Sequence, residues 1–249
     1  PPIEFVVTRE EEVGLVGVRR LKFEGIRARE GFVLDGDTLD GIVVGGPSHF
    51  LIDATFLGKA AHAGMEPEKG ISAIVAASRA IAALPLGRLD AQTTANVGII
   101  EGGVIRNGVP ETATIAAECR SLEHDRAAKV AQLIEQICSV NARSVGASAE
   151  VRCELAYRAH SIPETAGVVT VAAGAIRAVG LDPAVRVICG GTDASIYNEQ
   201  GIETVVLGTG VRDEHSCDEH IFISDMRRAV DILQHVFAAM AKRGTDAGK

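Results

Sequence analysis

Apolar residues recur along this chain in two rhythms, and the changes from one to the other divide it into three blocks. Up to about Pro47 the apolar stretches are short, Ile3 to Val7, Phe32 to Leu34 and Ile42 to Val44, and Gly-rich turns separate them as they separate buried strands. In the middle block, residues 50–57 (FLIDATFL) alternate as a strand and Gly70 to Leu84 reads as an Ala/Ile helix. Residues 95–100 and 112–119 read as strands about the turn NGVP, 124–140 as a helix and 149–157 as a strand. That order, βαββαβ, predicts a self-contained ferredoxin-like unit. From about Pro163 the chain reads helix (to Val179), strand (Val185 to Cys189), short helix, strand (Thr204 to Leu207), long loop, and a closing helix from about Ser224. Short continuous apolar strands alternating with helices imply a parallel-rich α/β sheet covered on both faces. The simplest architecture is one discontinuous α/β domain, residues 1–48 and 161–249, into which residues 49–160 are inserted.

Composition narrows the class. With 249 residues, 47% of them hydrophobic, the chain has enough apolar material for a packed core. No apolar run approaches the ~20 residues of a membrane span, and no basic-then-apolar leader opens the chain, so the expectation is a cytoplasmic protein with no membrane partner. A net charge of -8 argues against nucleic acid as a partner. The five cysteines, Cys119, Cys138, Cys153, Cys189 and Cys217, are scattered without a C-x-x-C pair and read as reduced thiols, mostly in the core. The chain opens Pro-Pro without Met and enters a strand at its third residue, which reads as an unnatural start.

In open α/β sheets ligands bind beyond the carboxyl ends of the strands. Here IEFVV runs into Glu10, Glu11 and Glu12; FVL runs into Asp35; VRVIC runs into Gly190-Gly191-Thr192-Asp193; TVVL runs into a loop carrying His215 and His220. Each has an ordinary reading alone: a solvated helix start, a turn former, a helix cap, a surface histidine. Together, carboxylates and imidazoles at one rim are the ligand chemistry of a divalent cation.

Six ordered segments, EEVG (11–14), VLDG (33–36), GKAAHAG (58–64), GGVIRNGVPETATIAAECRS (102–121), GGTDA (190–194) and HSCDEHIFISDM (215–226), resemble the zinc-dependent peptidase and aminoacylase family that includes peptidase T, carboxypeptidase G and succinyl-diaminopimelate desuccinylase. The wording EEVGLVG leans toward the peptidase T-like branch. The resemblance implies a catalytic α/β domain, truncated at its N-terminus, with a lid and dimerisation domain inserted, and hence a homodimer. It implies two zinc ions per complete site, with cobalt or manganese as alternatives. Glu11 would be the general base; Glu12 and His215 would ligate one zinc and Asp35 the other. His62 would be a lid histidine that stabilises the oxyanion, often in the partner subunit. Asn107 and Arg120 would hold a peptide or N-acyl amino acid substrate, and Gly191, Thr192 and Asp193 would wall the pocket.

Two departures from the family pattern stand out. The H-x-D histidine and the bridging aspartate that precede the EE pair have no counterpart among the ten residues before Glu11, and Cys119 stands where many relatives carry an acid before the arginine. The expected function is a metal-dependent exopeptidase or amide hydrolase of tripeptide aminopeptidase type. The alternative is a non-catalytic, dimer-forming or ligand-binding derivative. A third reading, GGTD as a phosphate cradle, lacks the lysine such a loop requires.

Overall fold

The computed structural model describes residues 2–246. Its elements, in chain order, are α1 (Val16–Arg19), β1 (Glu30–Gly36), β2 (Gly41–Gly46), β3 (Ser48–Leu57), β4 (Ala61–His62), α2 (Ala73–Ala83), β5 (Gly87–Asp90), β6 (Thr93–Gly102), β7 (Gly108–Val109), β8 (Thr112–Ser121), α3 (His124–Ser144), β9 (Ser148–Tyr157), β10 (His160–Ser161), α4 (Gly167–Ala178), β11 (Ala184–Val187), α5 (Ala194–Glu199), β12 (Glu203–Gly208), β13 (Val211–Arg212), β14 (His220–Ile221) and α6 (Ile223–Asp246). Two compact units form, one from Pro1–Gly46 with His160–Lys249, the other from Pro47–Ala159.

The second unit is an antiparallel sheet in the order β5-β6-β8-β3-β9, with α2 and α3 packed against it. Strand alternation sends Ile52, Ala54 and Phe56 of β3 and Ala113, Ile115 and Ala117 of β8 into one core with the helices. Cross-strand neighbours match large with small, Phe56 beside Ala113 and Ile115 beside Ala54, as close packing of a layer favours. α2 offers Ala73, Ala76, Ala77 and Ala80, all fully buried, so its backbone lies close to the sheet, and the Ser72 hydroxyl caps it by accepting the Val75 N–H at 3.3 Å. α3 buries Ala127, Val130, Ala131, Ile134, Cys138 and Ala142, the i, i+3, i+4 stripe of an amphipathic helix.

In the first unit β1 pairs in parallel with β12, β12 antiparallel with β2, and β2 in parallel with β11 and antiparallel with β10. The α/β class stands, and the sheet is mixed. Only residues 37–40 separate β1 from β2, too few for a crossover helix, so the chain must reverse and β2 runs against the β1–β12 pair. Ile42, Val44, Val205 and Leu207 bury one face against Val168, Val169, Ala172 and Ile176 of α4 and Ile232 and Val236 of α6.

The expected strand at Ile3 to Val7 does not form. Among the described residues no strand pairs with this segment, and an apolar run without a ladder partner leaves Phe5 86% and Val7 79% exposed. It is tethered instead by Glu4, whose carboxylate accepts the Arg27 N–H at 3.0 Å and the Ala28 N–H at 2.8 Å. Cys119 and Cys138 are core residues, whereas Cys153 and Cys217 are exposed and Cys189 is half-buried.

Candidate active site

The EEVGLVG segment is a wound turn rather than a strand end with a charged tail. The Glu11 carbonyl accepts the N–H groups of Gly14 and Leu15 at 3.1 and 2.9 Å, that of Glu10 accepts Val16 at 3.1 Å, and that of Arg9 accepts Gly17 at 3.0 Å. Glu10 and Leu15 both sit at φ +58°, in the left-handed region that costs a side-chain-bearing residue energy. Gly17 has no freedom to be anything larger, because a Cβ there would lie 2.4 Å from the Arg9 carbonyl oxygen. The result is a fixed backbone that holds Glu11 and Glu12 side by side with different surroundings, Glu11 partly sunk and Glu12 in water.

Three further segments converge on Glu11. β1 and β12 lose register between Leu34 and Gly36, so Asp35 is the extra residue of a bulge, a device that re-aims a side chain at a strand end. Asp193, 6% exposed, stands just before α5, and its Oδ2 accepts the Thr8 hydroxyl. His215, at φ +62°, brings Nδ1 to 3.7 Å from Glu12 Oε2, with both side chains exposed. Burial and the charges of Asp35, Glu12 and Asp193 push Glu11 up to about 7, with His215 acting in the opposite direction. Burial and the charges of Asp193, Glu12 and Glu214 likewise push Asp35 up to about 6. Asp193 is raised by burial, against which the Thr8 hydrogen bond works. Crowded acids with displaced titrations are an arrangement that a cation stabilises.

The donors suit a divalent ion by type, carboxylate and imidazole at one rim. They do not form a complete shell, since among the described residues no three His, Cys, Asp or Glu side chains gather closely enough to hold a metal.

The remaining candidates lie in the second unit. His62 on β4 pairs with Gly108 on β7, the Ala63 N–H donates to the Asn107 carbonyl at 3.0 Å, and the His62 ring accepts the Gly64 N–H at 3.2 Å. His62 and Asn107 thus share the wall of a cavity of about 780 Å³. Arg120 is not in that wall. It lies toward the other end of β8, where its guanidinium donates to Glu118 at 3.0 Å, and Glu118 also bonds the His49 ring at 2.7 Å. The His49 and Arg120 contacts hold Glu118 down to about 2. Cys119 points instead into the core, and burial pushes its thiol up to about 12, so the acid that supports the arginine is Glu118, two residues back on the same strand face. Period-two spacing carried that signal. Thr8 and His49 had no sequence signal.

An α/β unit that gathers acids and a histidine at its strand ends carries an antiparallel βαββαβ unit between β2 and β10, the build of a two-part chain with an inserted domain. Residues 50–145 match the M20 peptidase dimerisation domain. The chain is 37% identical, over 96% of its length and 65% of the relative's, to the uncharacterized protein YqjE of Bacillus subtilis. Its fold superposes on aminopeptidase PepT of Bacillus cereus with a TM-score of 0.82 at 36% identity, covering 94% of this chain and 63% of that one. It superposes on a tripeptidase from Staphylococcus aureus with a TM-score of 0.86 at 33% identity, covering 92% and 61%. Over residues 50–145 the chain carries the M20 peptidase dimerisation domain, and it spans somewhat less than two thirds of the length of these relatives. Among the described residues no helix is long and apolar enough to cross a membrane.

Proposed function

We propose that this chain is the larger part of a metal-dependent exopeptidase of tripeptide aminopeptidase type, with Glu11 as general base. The observation that carries the reading is the convergence of Glu11, Glu12, Asp35, Asp193 and His215, from four separate segments, on one acidic rim. Likeness to a PepT aminopeptidase and a tripeptidase supports the substrate class. Glu12 and His215 would hold one divalent ion, zinc in the first instance, and Asp35 its companion. Such a pair, when bound, would supply an acidified water and polarisation of the scissile carbonyl. Beside positive charge Glu11 stays ionised; it takes the water's proton and passes it to the departing amine. His62, with a ring N–H free to donate, is assigned to the oxyanion in a homodimer built through residues 50–145, and Arg120 to a substrate carboxylate. Gly191 and Thr192 complete the pocket wall. The test is release of free amino acid from tripeptides by the chain, with and without added zinc, cobalt or manganese. Turnover that is metal-independent, or absent with every metal, removes the reading.

One competing reading is a dimer-forming or ligand-binding derivative without catalysis. Elemental analysis after dialysis against trace zinc separates the two. Close to two zinc ions per chain supports the enzyme, and none supports the derivative.

A further inference from the structure

On the sheet of the second unit, four strands put one residue each into a row: Thr94 on β6, Arg120 on β8, His49 on β3 and Tyr157 on β9. Cys119 points into the core with the helices, so its neighbour Arg120, and the row with it, lies on the opposite face. Glu118 is two residues back from Arg120 on that same face. His49 is 6% exposed and packs against the Tyr157 ring, with 5.3 Å between centroids.

A buried imidazole needs a partner for its ring N–H, and the His49 Nε2 finds one in Glu118 Oε2 at 2.7 Å. Nη2 of Arg120 donates to that same oxygen at 3.0 Å. Glu118 is held down to about 2, so it is an ionised acceptor for both donors at neutral pH. Donors from two adjacent strands thus meet on one carboxylate oxygen.

The arrangement matters for Arg120. An arginine beside a single carboxylate tends to close on it through two parallel N–H bonds, a pairing that turns the fork away from any further anion. Here His49 draws Oε2 toward β3, which opposes that closure. The guanidinium is anchored through Nη2 and its side chain stays 27% exposed. A long side chain already held in one rotamer also loses less freedom when a ligand arrives.

We propose that His49 and Glu118 are positioning residues for Arg120: Glu118 anchors the guanidinium, and His49, braced by Tyr157, keeps Glu118 from closing on it, so that the fork is presented to a substrate carboxylate. The proposal rests on the assignment of Arg120 to that carboxylate and adds two residues that act only through it.

The test is titration calorimetry of Leu-Gly-Gly and of its C-terminal amide into the zinc-supplemented chain, with Glu11→Gln to prevent turnover. The free acid should bind about tenfold or more tightly than the amide, the discrimination expected of a charged hydrogen bond. Arg120→Ala should bring that ratio to near one. His49→Leu and Glu118→Gln should each reduce it about threefold or more, by weakening the acid alone. His49→Gln, whose amide nitrogen can stand where Nε2 stood, should keep it. An unchanged ratio in Glu118→Gln overturns the proposal, and this half-exposed position keeps the test decisive if His49→Leu fails to fold by circular dichroism. Equal weakening of acid and amide overturns it too, because that is the mark of a merely structural role. So does a ratio that falls as far in His49→Gln as in His49→Leu. If Arg120→Ala removes the discrimination and neither His49→Leu nor Glu118→Gln alters it, this proposal falls alone. If Arg120→Ala leaves the ratio intact, the assignment of Arg120 falls with it. Failure to bind either peptide, with no turnover before the Glu11 change, removes the peptidase reading as well.

Discussion

The second unit spends its side chains on packing, and the first spends several of them on an arrangement that packing alone would not choose. Around β3 and β8 the interior is Ile, Phe and Ala in alternating sizes, and even the buried hydroxyls are paired, Thr93 with Ser121 at 3.0 Å and Ser48 with His124 at 3.0 Å. Around Glu11 the chain tolerates left-handed residues at Glu10, Leu15 and His215, a bulge at Asp35 and an unpartnered carboxylate oxygen at Asp193. Each costs stability, and together they define a rim that only a cationic ligand would relieve. Strain and unpaired charge thus separate the two units more clearly than hydropathy does.

Substitutions can break or sharpen that contrast. Glu11→Gln should reduce turnover by about 10²–10⁴-fold, as loss of a general base does, while the melting temperature is not lowered. A large fall in melting temperature would mean that Glu11 is structural. Phe56→Ala should destabilise the second unit by about 3–5 kcal/mol in denaturant titration, because its fully buried ring leaves a cavity beside Ala113 that the small neighbours cannot fill. Gly17→Ala belongs between the two classes. Its Cβ meets backbone, so the Arg9–Gly17 turn must shift, and we expect about 1–3 kcal/mol of lost stability together with loss of activity.

Acid tests the charged network around Glu118 in the second unit. The folded-state pKa of Glu118 is depressed to about 2, so its contribution is present above the unfolded value and is lost as pH falls from about 4.5 toward 2. With the Glu118 side chain 33% exposed, the loss should be about 1–2 kcal/mol, and Glu118→Gln should flatten that part of the stability curve. An unchanged acid limb would show that His49 and Arg120 do not hold the carboxylate in solution. The smallest effect is expected at Arg152, whose pairing with Glu154 at 2.8 Å lies on the surface with the arginine 76% exposed. Arg152→Ala should shift stability by less than about 0.5 kcal/mol.

The sequence was most legible where periodicity and packing agree. The Ala and Ile spacing of α2, the alternation of β3 and β8 and the stripe on α3 each read correctly because the same side chains define both the element and its burial. Ile3 to Val7 misled for the opposite reason: apolarity signals a strand, but a ladder needs a partner that local sequence does not name. The direction of β2 turned on a connection of four residues, visible in the sequence yet outweighed by the general rule for alternating strands and helices. At the rim, residue types were readable and geometry was not. Nothing local reveals that Thr8 reaches Asp193, 185 positions away, or that a bulge frees Asp35.

The pairing of β10 with β2 carries a consequence of its own. His160 and Gly46 are directly opposed across that ladder, so the chain leaves the first unit and re-enters it at adjoining backbone positions. The whole interval from Pro47 to Ala159 is therefore a cassette whose two seams already touch. Cutting it out leaves a gap that a tight hairpin turn can bridge, and lengthening it adds to the cost of closure only logarithmically. Selection could exchange, enlarge or pair such a cassette while the acid rim on the other unit kept its register.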